Sequence, residues 1–355
     1  LQEGENEITI MRWDDGDDDN NDNDDNGEIN LDYITVKPVQ WTYAGAVESV
    51  EGSGTSQLTF QLDNAAVQIT SVAENVVKVW LEPDSRFERK YDSFSVSSDD
   101  LNQQVLEPED KGDYYEIDLG DMDMRIQKDP FKITYLDKGG NVIVENENQS
   151  MGWTTDGELM VNNKIKENEA YWGLGEKPES KFTRRGEKVY MWSVDAWGAE
   201  LDDSFPSWEE GRYYSAETYF MSSEGYSIFF DNTSRTVFDM GKTNPNTCSF
   251  GSLNPNPGGE LCYYFIYGGQ GEDYQKQLTK TYTDMIGKSF FAPLWGLGNM
   301  QCHYGYRQDS SLDLPEGEDG VETVARKYRE NEIPLDVLMV DIEWYKYLCT
   351  PTAWN

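Results

Sequence analysis

Histidine is almost missing from this chain: His303 stands alone among 355 residues. One histidine argues against His-based nucleophilic triads and excludes multi-His metal sites. Cysteine is scarce too, and Cys248, Cys262, Cys302 and Cys349 have no zinc spacing. Cys248 and Cys262 flank a Gly/Pro/Asn-rich turn, so they either face each other as a disulfide or stay as buried free thiols. Basic residues number 29 against 67 acidic ones, a net charge of −38. That field repels nucleic acid and anionic membrane surfaces, so neither is an expected partner. No apolar run approaches the ~18 residues of a membrane span.

Aromatic side chains, by contrast, are abundant, with 11 Trp and 22 Tyr. They fit pleated, half-buried surfaces and point to a β-rich body. Aromatic rings also stack on sugars, although at any one position core packing is the commoner use. The chain begins at Leu1 rather than Met, which fits a processed N-terminus, and a secreted, extracellular protein is expected.

Residues 14–28 form an acidic low-complexity run. Asp22, Asp24 and Asn26 precede Gly27 as in a calcium loop, but Tyr33 holds the position of the closing carboxylate. A solvated linker is the favoured reading, and calcium is the one cofactor the run suggests. From about residue 31, short segments alternate apolar and polar residues: SQLTFQLD, AAVQITSV, NVVKVWLEP and YYEIDLG. A hairpin is expected to turn on Asp137-Lys138-Gly139-Gly140. More strands are read at SAETYFMSS, YSIFFDNTS, TVFDMG and LCYYFIYGG, without a long helix before residue 270. The pattern describes an antiparallel β-sandwich.

After Gly271 the pattern changes. EDYQKQLTKTYTDMIG has helical spacing, and GNMQCHYGYR reads as a strand. GVETVARKYRENEIP reads as an amphipathic helix with Val321, Val324, Ala325 and Tyr328 on one face, and LDVLMVDIEWY as an apolar strand. Strand, helix, strand is a βαβ unit. One unit cannot bury both faces of its strands, so an incomplete (β/α)8 barrel is expected. The expected division is an acidic leader at 1–30, a sandwich at 31–270 and the start of a barrel at 271–355.

Four stretches, in order, resemble glycoside hydrolase family 31, the α-glucosidase and α-xylosidase family. They are PFKITYLDKGGNVIVEN, then YWGLGEK at Tyr171 leading to MWSVDAWG, then GYSIFFDNTSRTVFDMG, then the pair LGNMQCHYGYR and IPLDVLMVDIEWY. The resemblance implies a mutarotase-like sandwich followed by the first barrel strands. It also implies that Asp195, on a sandwich loop, and Asp341, at the end of barrel strand two, bind substrate hydroxyls. Tyr304 then aligns with an aromatic of the subsite wall, and Ile342 follows Asp341 as in many members. The competing structural roles are a turn-capping Asp195, an Asp341 bonded to backbone or Arg, and a Tyr304 packed in the core. Glu343, Trp344 and His303 depart from the family's frequent residues, and the loop DSSLDLPEGEDG is an acidic insertion.

The implied reaction is retaining cleavage of an α-linked glucoside oligosaccharide or polysaccharide, which needs two carboxyl groups about 5 Å apart. In the family the nucleophile is an Asp on strand four, and the acid/base comes later. No WxDMNE-like motif is present, so no catalytic residue is named, and the chain is read as the N-terminal part of a longer enzyme. Asp341 and Glu343 lie on one face of a strand and cannot bracket a bond from two sides. Two alternatives stand beside hydrolysis: an α-glucosyl transferase, and a non-catalytic glycan-binding or self-assembling protein. The remainder of the barrel, as another segment or chain, is an expected partner.

Overall fold

The computed structural model describes residues 40–88, 93–97, 101–176, 182–191, 193, 215–253, 260–303, 306 and 320–341. The chain divides into Leu1–Gly287 and Lys288–Asn355. The acidic run with Asp22, Asp24 and Asn26 lies outside the described residues.

The first unit is built on antiparallel sheets of eight, six and five strands. Its central element is the strand Leu261–Tyr267, flanked by Tyr226–Phe230 and Val76–Glu82 and buried at every residue. Its sequence, LCYYFIY, is apolar at both alternations because both faces are covered. Leu261, Tyr263, Phe265 and Tyr267 face the main core. Tyr264 and Ile266 face the other way, onto Leu278 and Met285 of the helix Tyr274–Ile286. The Tyr135 ring of the five-stranded sheet stacks on Phe265 at 3.7 Å, and Phe250 of the six-stranded sheet meets Tyr263 edge-on at 5.3 Å. One strand therefore joins all three sheets.

The helix Tyr274–Ile286 falls on the sandwich side of the division, although its helical spacing begins just past the expected boundary at 270/271. Its Tyr282 ring stacks on Tyr219 at 3.9 Å. Ser97 closes its last turn, donating from both backbone N and Oγ to the Met285 carbonyl. Gly287, at φ 94°, ends it.

The hairpin at Asp137–Gly140 forms as expected between Lys132–Asp137 and Val142–Glu145. Asp137 Oδ1 accepts from the backbone N–H of Gly139 and Asn141, at 2.9 and 2.8 Å. A disulfide between Cys248 and Cys262 does not form. Cys248 lies in the six-stranded sheet, between Leu159–Lys164 and Thr236–Met240, while Cys262 lies in the eight-stranded sheet. Both are buried free thiols.

Truncating Phe265 removes the ring that ties two sheets. Phe265→Ala is expected to cost about 3–5 kcal/mol of unfolding free energy, read from urea melts. A loss under about 1 kcal/mol would show that the strand is not the tie described here. Thiol labelling of the native protein should modify the exposed Cys302 and spare Cys248 and Cys262 until denaturant is added. Equal labelling of all three in peptide maps would contradict the packing.

Candidate functional site

The second unit contains the strands Met300–His303 and Val337–Val340, paired in parallel, with the helix Gly320–Glu330 between them in sequence. This is the expected βαβ unit. Its entry is fixed by polar contacts: Asp336 accepts from the Asn299 N–H at 3.0 Å, and Asn299 Nδ2 donates to the Pro334 carbonyl at 2.7 Å. Gly298 makes room for that carboxylate, since a Cβ there would lie 2.1 Å from Asp336 Oδ2. Tyr328 on the helix donates to Gln301 Oε1 at 2.8 Å, tying helix to strand. Val321, Val324, Ala325 and Tyr328 are half-buried, while Gly320 and Thr323 are the buried residues of this helix. Gly320 has to be glycine, because a Cβ would lie 1.7 Å from the Tyr306 carbonyl oxygen.

At the opposite end of the strands, His303 pairs with Val340, and Asp341 is the next residue. The His303 ring meets Tyr306 edge-on at 5.2 Å, and Tyr306 is buried. Asp341 thus stands exposed at the C-terminal end of the second parallel strand. In (β/α)8 barrels that end carries the active site. Tyr304 and Ile342, its expected neighbours, lie outside the described residues.

Asp195 also lies outside the described residues, but the elements leading to it are in view. The strand Tyr171–Gly173 runs into a turn in which Gly173, Leu174 and Gly175 all have positive φ, at 115°, 64° and 74°. A Cβ on Gly173 would lie 2.5 Å from the Tyr219 carbonyl oxygen, so the turn hugs the neighbouring strand. Leu174 has a side chain and still adopts the left-handed region, because that conformation places it fully in the core. Arg184 holds the turn open on its other side. Its Nε and Nη2 donate to the carbonyls of Gly173 and Gly175, at 3.2 and 3.4 Å. Arg185 does the same one step back, donating to the carbonyls of Lys166 and Glu169 at 2.9 and 2.7 Å. The chain then enters the strand Lys188–Met191 at the edge of the six-stranded sheet.

Beneath this turn Glu169 is buried and hydrogen-bonded. Ser222 Oγ and Tyr226 OH donate to its Oε1 at 2.5 and 2.9 Å, and the Lys166 N–H donates to Oε2 at 3.0 Å. Burial first, then the charge of Glu169, pushes the Tyr226 phenol far above its ordinary pKa, so it remains a donor. Arg184, Arg185 and Glu169 were not singled out from sequence, since none lies in a quoted motif, although Arg184 bonds Gly173 and Gly175 of YWGLGEK and Glu169 accepts from Tyr226. Two arginines beside the GLG turn were the only available signal. Among the described residues no cluster of three or more His, Cys, Asp or Glu could hold a metal, and no helix is long and apolar enough to cross a membrane.

Comparison with known proteins bears on both units. Residues 66–239 match the family described as glycosyl hydrolase 31 N-terminal galactose mutarotase-like domain, and residues 289–355 match the glycosyl hydrolases family 31 TIM-barrel domain. The chain is 28% identical over 293 residues to alpha-glucosidase 2 of Bacillus thermoamyloliquefaciens, covering 81% of this chain and 33% of that protein. It is 24% identical over 300 residues to alpha-xylosidase XylQ of Lactiplantibacillus pentosus, covering 80% and 34%. A Flavobacterium johnsoniae dextranase, solved with isomaltotriose, superposes with a TM-score of 0.72 at 28% identity, over 86% of this chain and 35% of that one. The chain therefore spans about a third of the length of these relatives.

Arg184 is mostly buried, and replacing it leaves two turn carbonyls without its charge-assisted bonds. Arg184→Met is expected to cost about 1.5–3 kcal/mol and to raise proteolytic cleavage between residues 176 and 190. A melting temperature and cleavage pattern unchanged from the parent would remove Arg184 from this role.

Proposed function

Because this chain belongs to glycoside hydrolase family 31, we propose that it supplies the sugar-positioning side of a retaining α-glycosidase acting on α-linked glucosides. The observation that carries the reading is Asp341, exposed at the C-terminal end of the second of two parallel strands. An ionised carboxylate there is acceptor-only, with two oxygens that can take hydrogen bonds from two neighbouring hydroxyls of one sugar ring. The family resemblance assigns substrate contacts to Asp195, Tyr304 and Ile342 as well, and those three roles rest on the resemblance alone. None of these residues attacks the glycosidic bond.

Cleavage with retention needs one carboxylate as nucleophile and one carboxylic acid about 5 Å away, on opposite sides of the bond. Their environments must push their pKa values apart, so that one stays ionised while the other keeps its proton. We place both in barrel strands later than Val337–Val340. Support for an α-glucoside comes from the similar alpha-glucosidase and from the dextranase that binds isomaltotriose. A glucosyl transferase would share every residue named here and differ only in whether a sugar or water takes the glucosyl unit.

One observation favours a second reading, a glycan-binding or self-assembling protein without catalysis. Phe290, Phe291 and Trp295 of the second unit are 82%, 99% and 59% exposed, an apolar surface of the kind that mediates association. Sedimentation at several concentrations, with assays for activity, separates the two readings.

For the main reading, the natural-length protein is assayed on maltose, isomaltose and nitrophenyl α-glucoside, with the anomer of the first-formed glucose followed by NMR. The α-anomer is expected. Asp341→Ala is expected to lower kcat/KM by about 10²-fold or more, since a misplaced substrate loses its reactive geometry. A β-anomer product would refute retention, and an Asp341→Ala enzyme within about threefold of the parent would refute the role of Asp341.

A further inference from the structure

We propose that the outer face of the six-stranded sheet is a glycan-binding groove in its own right, built to take a neutral linear oligosaccharide. The groove has a volume of about 800 Å³, within the range of small-ligand sites. Strand register determines what lines it. Tyr43 pairs with Gly152, Gly152 with Met160, Met160 with Gly251, and Gly251 with Val237. Paired residues of antiparallel strands point to the same side, so these five form one row across the sheet.

Two members of the row are glycines, which makes it a trough. Neither can be larger: a Cβ on Gly152 would lie 2.9 Å from the Tyr43 ring, and one on Gly251 would lie 1.9 Å from the Leu159 carbonyl oxygen. The Tyr43 ring therefore lies over bare backbone as a platform at one end of the trough. Trp41, two residues back on the same strand and the same side, extends that platform by about 7 Å.

The adjacent row is polar throughout. Asn162 pairs with Ser249, Ser249 with Asp239, and Asp239 with Lys188. These groups are held in place before any ligand arrives. Ser249 Oγ donates to Asn162 Oδ1 at 2.7 Å, and Asn162 Nδ2 donates to the Gln149 carbonyl at 3.0 Å. Asp239 anchors the wall that follows it, accepting from the N–H groups of Lys242 and Thr243 at 2.7 and 3.2 Å. On the other wall Glu147 faces Thr247, whose Oγ1 donates to it at 3.4 Å.

An apolar, aromatic row beside a hydrogen-bonding row is the complement of a sugar chain. A pyranose ring has an apolar C–H face that packs on an aromatic ring and a rim of hydroxyls that both donate and accept. Glu147 and Asp239 against Lys188 make the lining slightly acidic, which disfavours phosphorylated or sulfated ligands. A purely apolar ligand would strand the polar row. The choice of an α-glucan among neutral glycans rests on the function proposed above; the groove itself does not.

The test uses the natural-length protein in native gels containing dextran or soluble starch, with kcat/KM on nitrophenyl α-glucoside measured in parallel. The double variant Trp41→Ala/Tyr43→Ala is expected to weaken retardation about tenfold or more while leaving kcat/KM within about twofold. Tyr43→Phe keeps the ring and should keep the retardation, and Asn162→Ala should weaken it. Asp341→Ala is expected to do the reverse, losing turnover and keeping retardation. Retardation that survives the double variant, or that is lost only with Asp341→Ala, overturns the groove and leaves the catalytic reading standing. Groove-dependent retardation in a protein inactive on every α-glucoside supports the groove and overturns the catalytic reading. A double variant that melts at the parent temperature and still binds also counts against the groove.

Discussion

The fold depends on a strand that has no outside. Leu261–Tyr267 is buried along its whole length, so neither alternation of its residues is free to be polar. One alternation fills the sandwich core, where Tyr263 and Phe265 meet rings from the other two sheets. The other alternation supports a helix, through Tyr264 and Ile266. Burying a large aromatic side chain contributes about 1.5–3 kcal/mol, and this strand concentrates several such terms where three sheets converge. A cavity there would be felt by all of them, because close-packed interiors relax only in part.

The second constraint is local and costs energy. Gly173, Leu174 and Gly175 turn through three consecutive positive φ values, and a left-handed leucine is unfavourable on its own. The turn persists because both sides of it are determined. Leu174 is fully buried on one side, and Arg184 takes the outward carbonyls of the two glycines on the other. Arg185 and the buried Glu169 fix the segment just before it. Strain of this kind is worth keeping where a chain must leave a sheet in one direction only. Here the arginine that braces the turn, Arg184, stands four residues before the edge strand Lys188–Met191.

How much of this was legible depended on whether the signal was periodic or spatial. The strands Gln57–Leu62, Ala66–Ala73 and Val76–Glu82 and the hairpin at Asp137–Gly140 were readable from alternation and turn chemistry. The parallel pair and Asp341 at its end were readable from an apolar run closing in acid. Short strands such as Trp41–Tyr43 and Gly152–Thr154 were not, since three residues cannot show a period. Leu159–Lys164 hid for another reason. Its inward position Asn163 is polar, and it is tolerated because Asn146, its β-bridge partner, donates from Nδ2 to Asn163 Oδ1 at 2.6 Å. Cys248 and Cys262 looked like hairpin partners in sequence, but they lie in two different sheets. Helical spacing identified Tyr274–Ile286, which was grouped with 271–355 in sequence and which packs on Tyr264 and Ile266 of the first unit.

The acidity of the chain connects fold to ligand. With 67 acidic and 29 basic residues, basic groups are the scarce resource, and the five-stranded sheet pairs them with carboxylates. Lys138 donates to both Asp118 and Asp123, and Glu145 takes Lys132 of its own sheet and Lys164 of the six-stranded sheet. Lys138 beside Asp118, and Lys128 beside Asp110, hold those two carboxyls below their ordinary pKa. The exposed pairs among these contribute little stability each, but they relieve repulsion where like charges crowd. The excess that remains sets a field hostile to anionic ligands and indifferent to neutral ones. A sugar chain without charge approaches such a surface unopposed, and hydroxyls are the ligand groups that carboxylates and amides bind without needing a cation. The neutral glycan proposed for the groove is compatible with that field, whereas a phosphorylated or sulfated one is opposed by it.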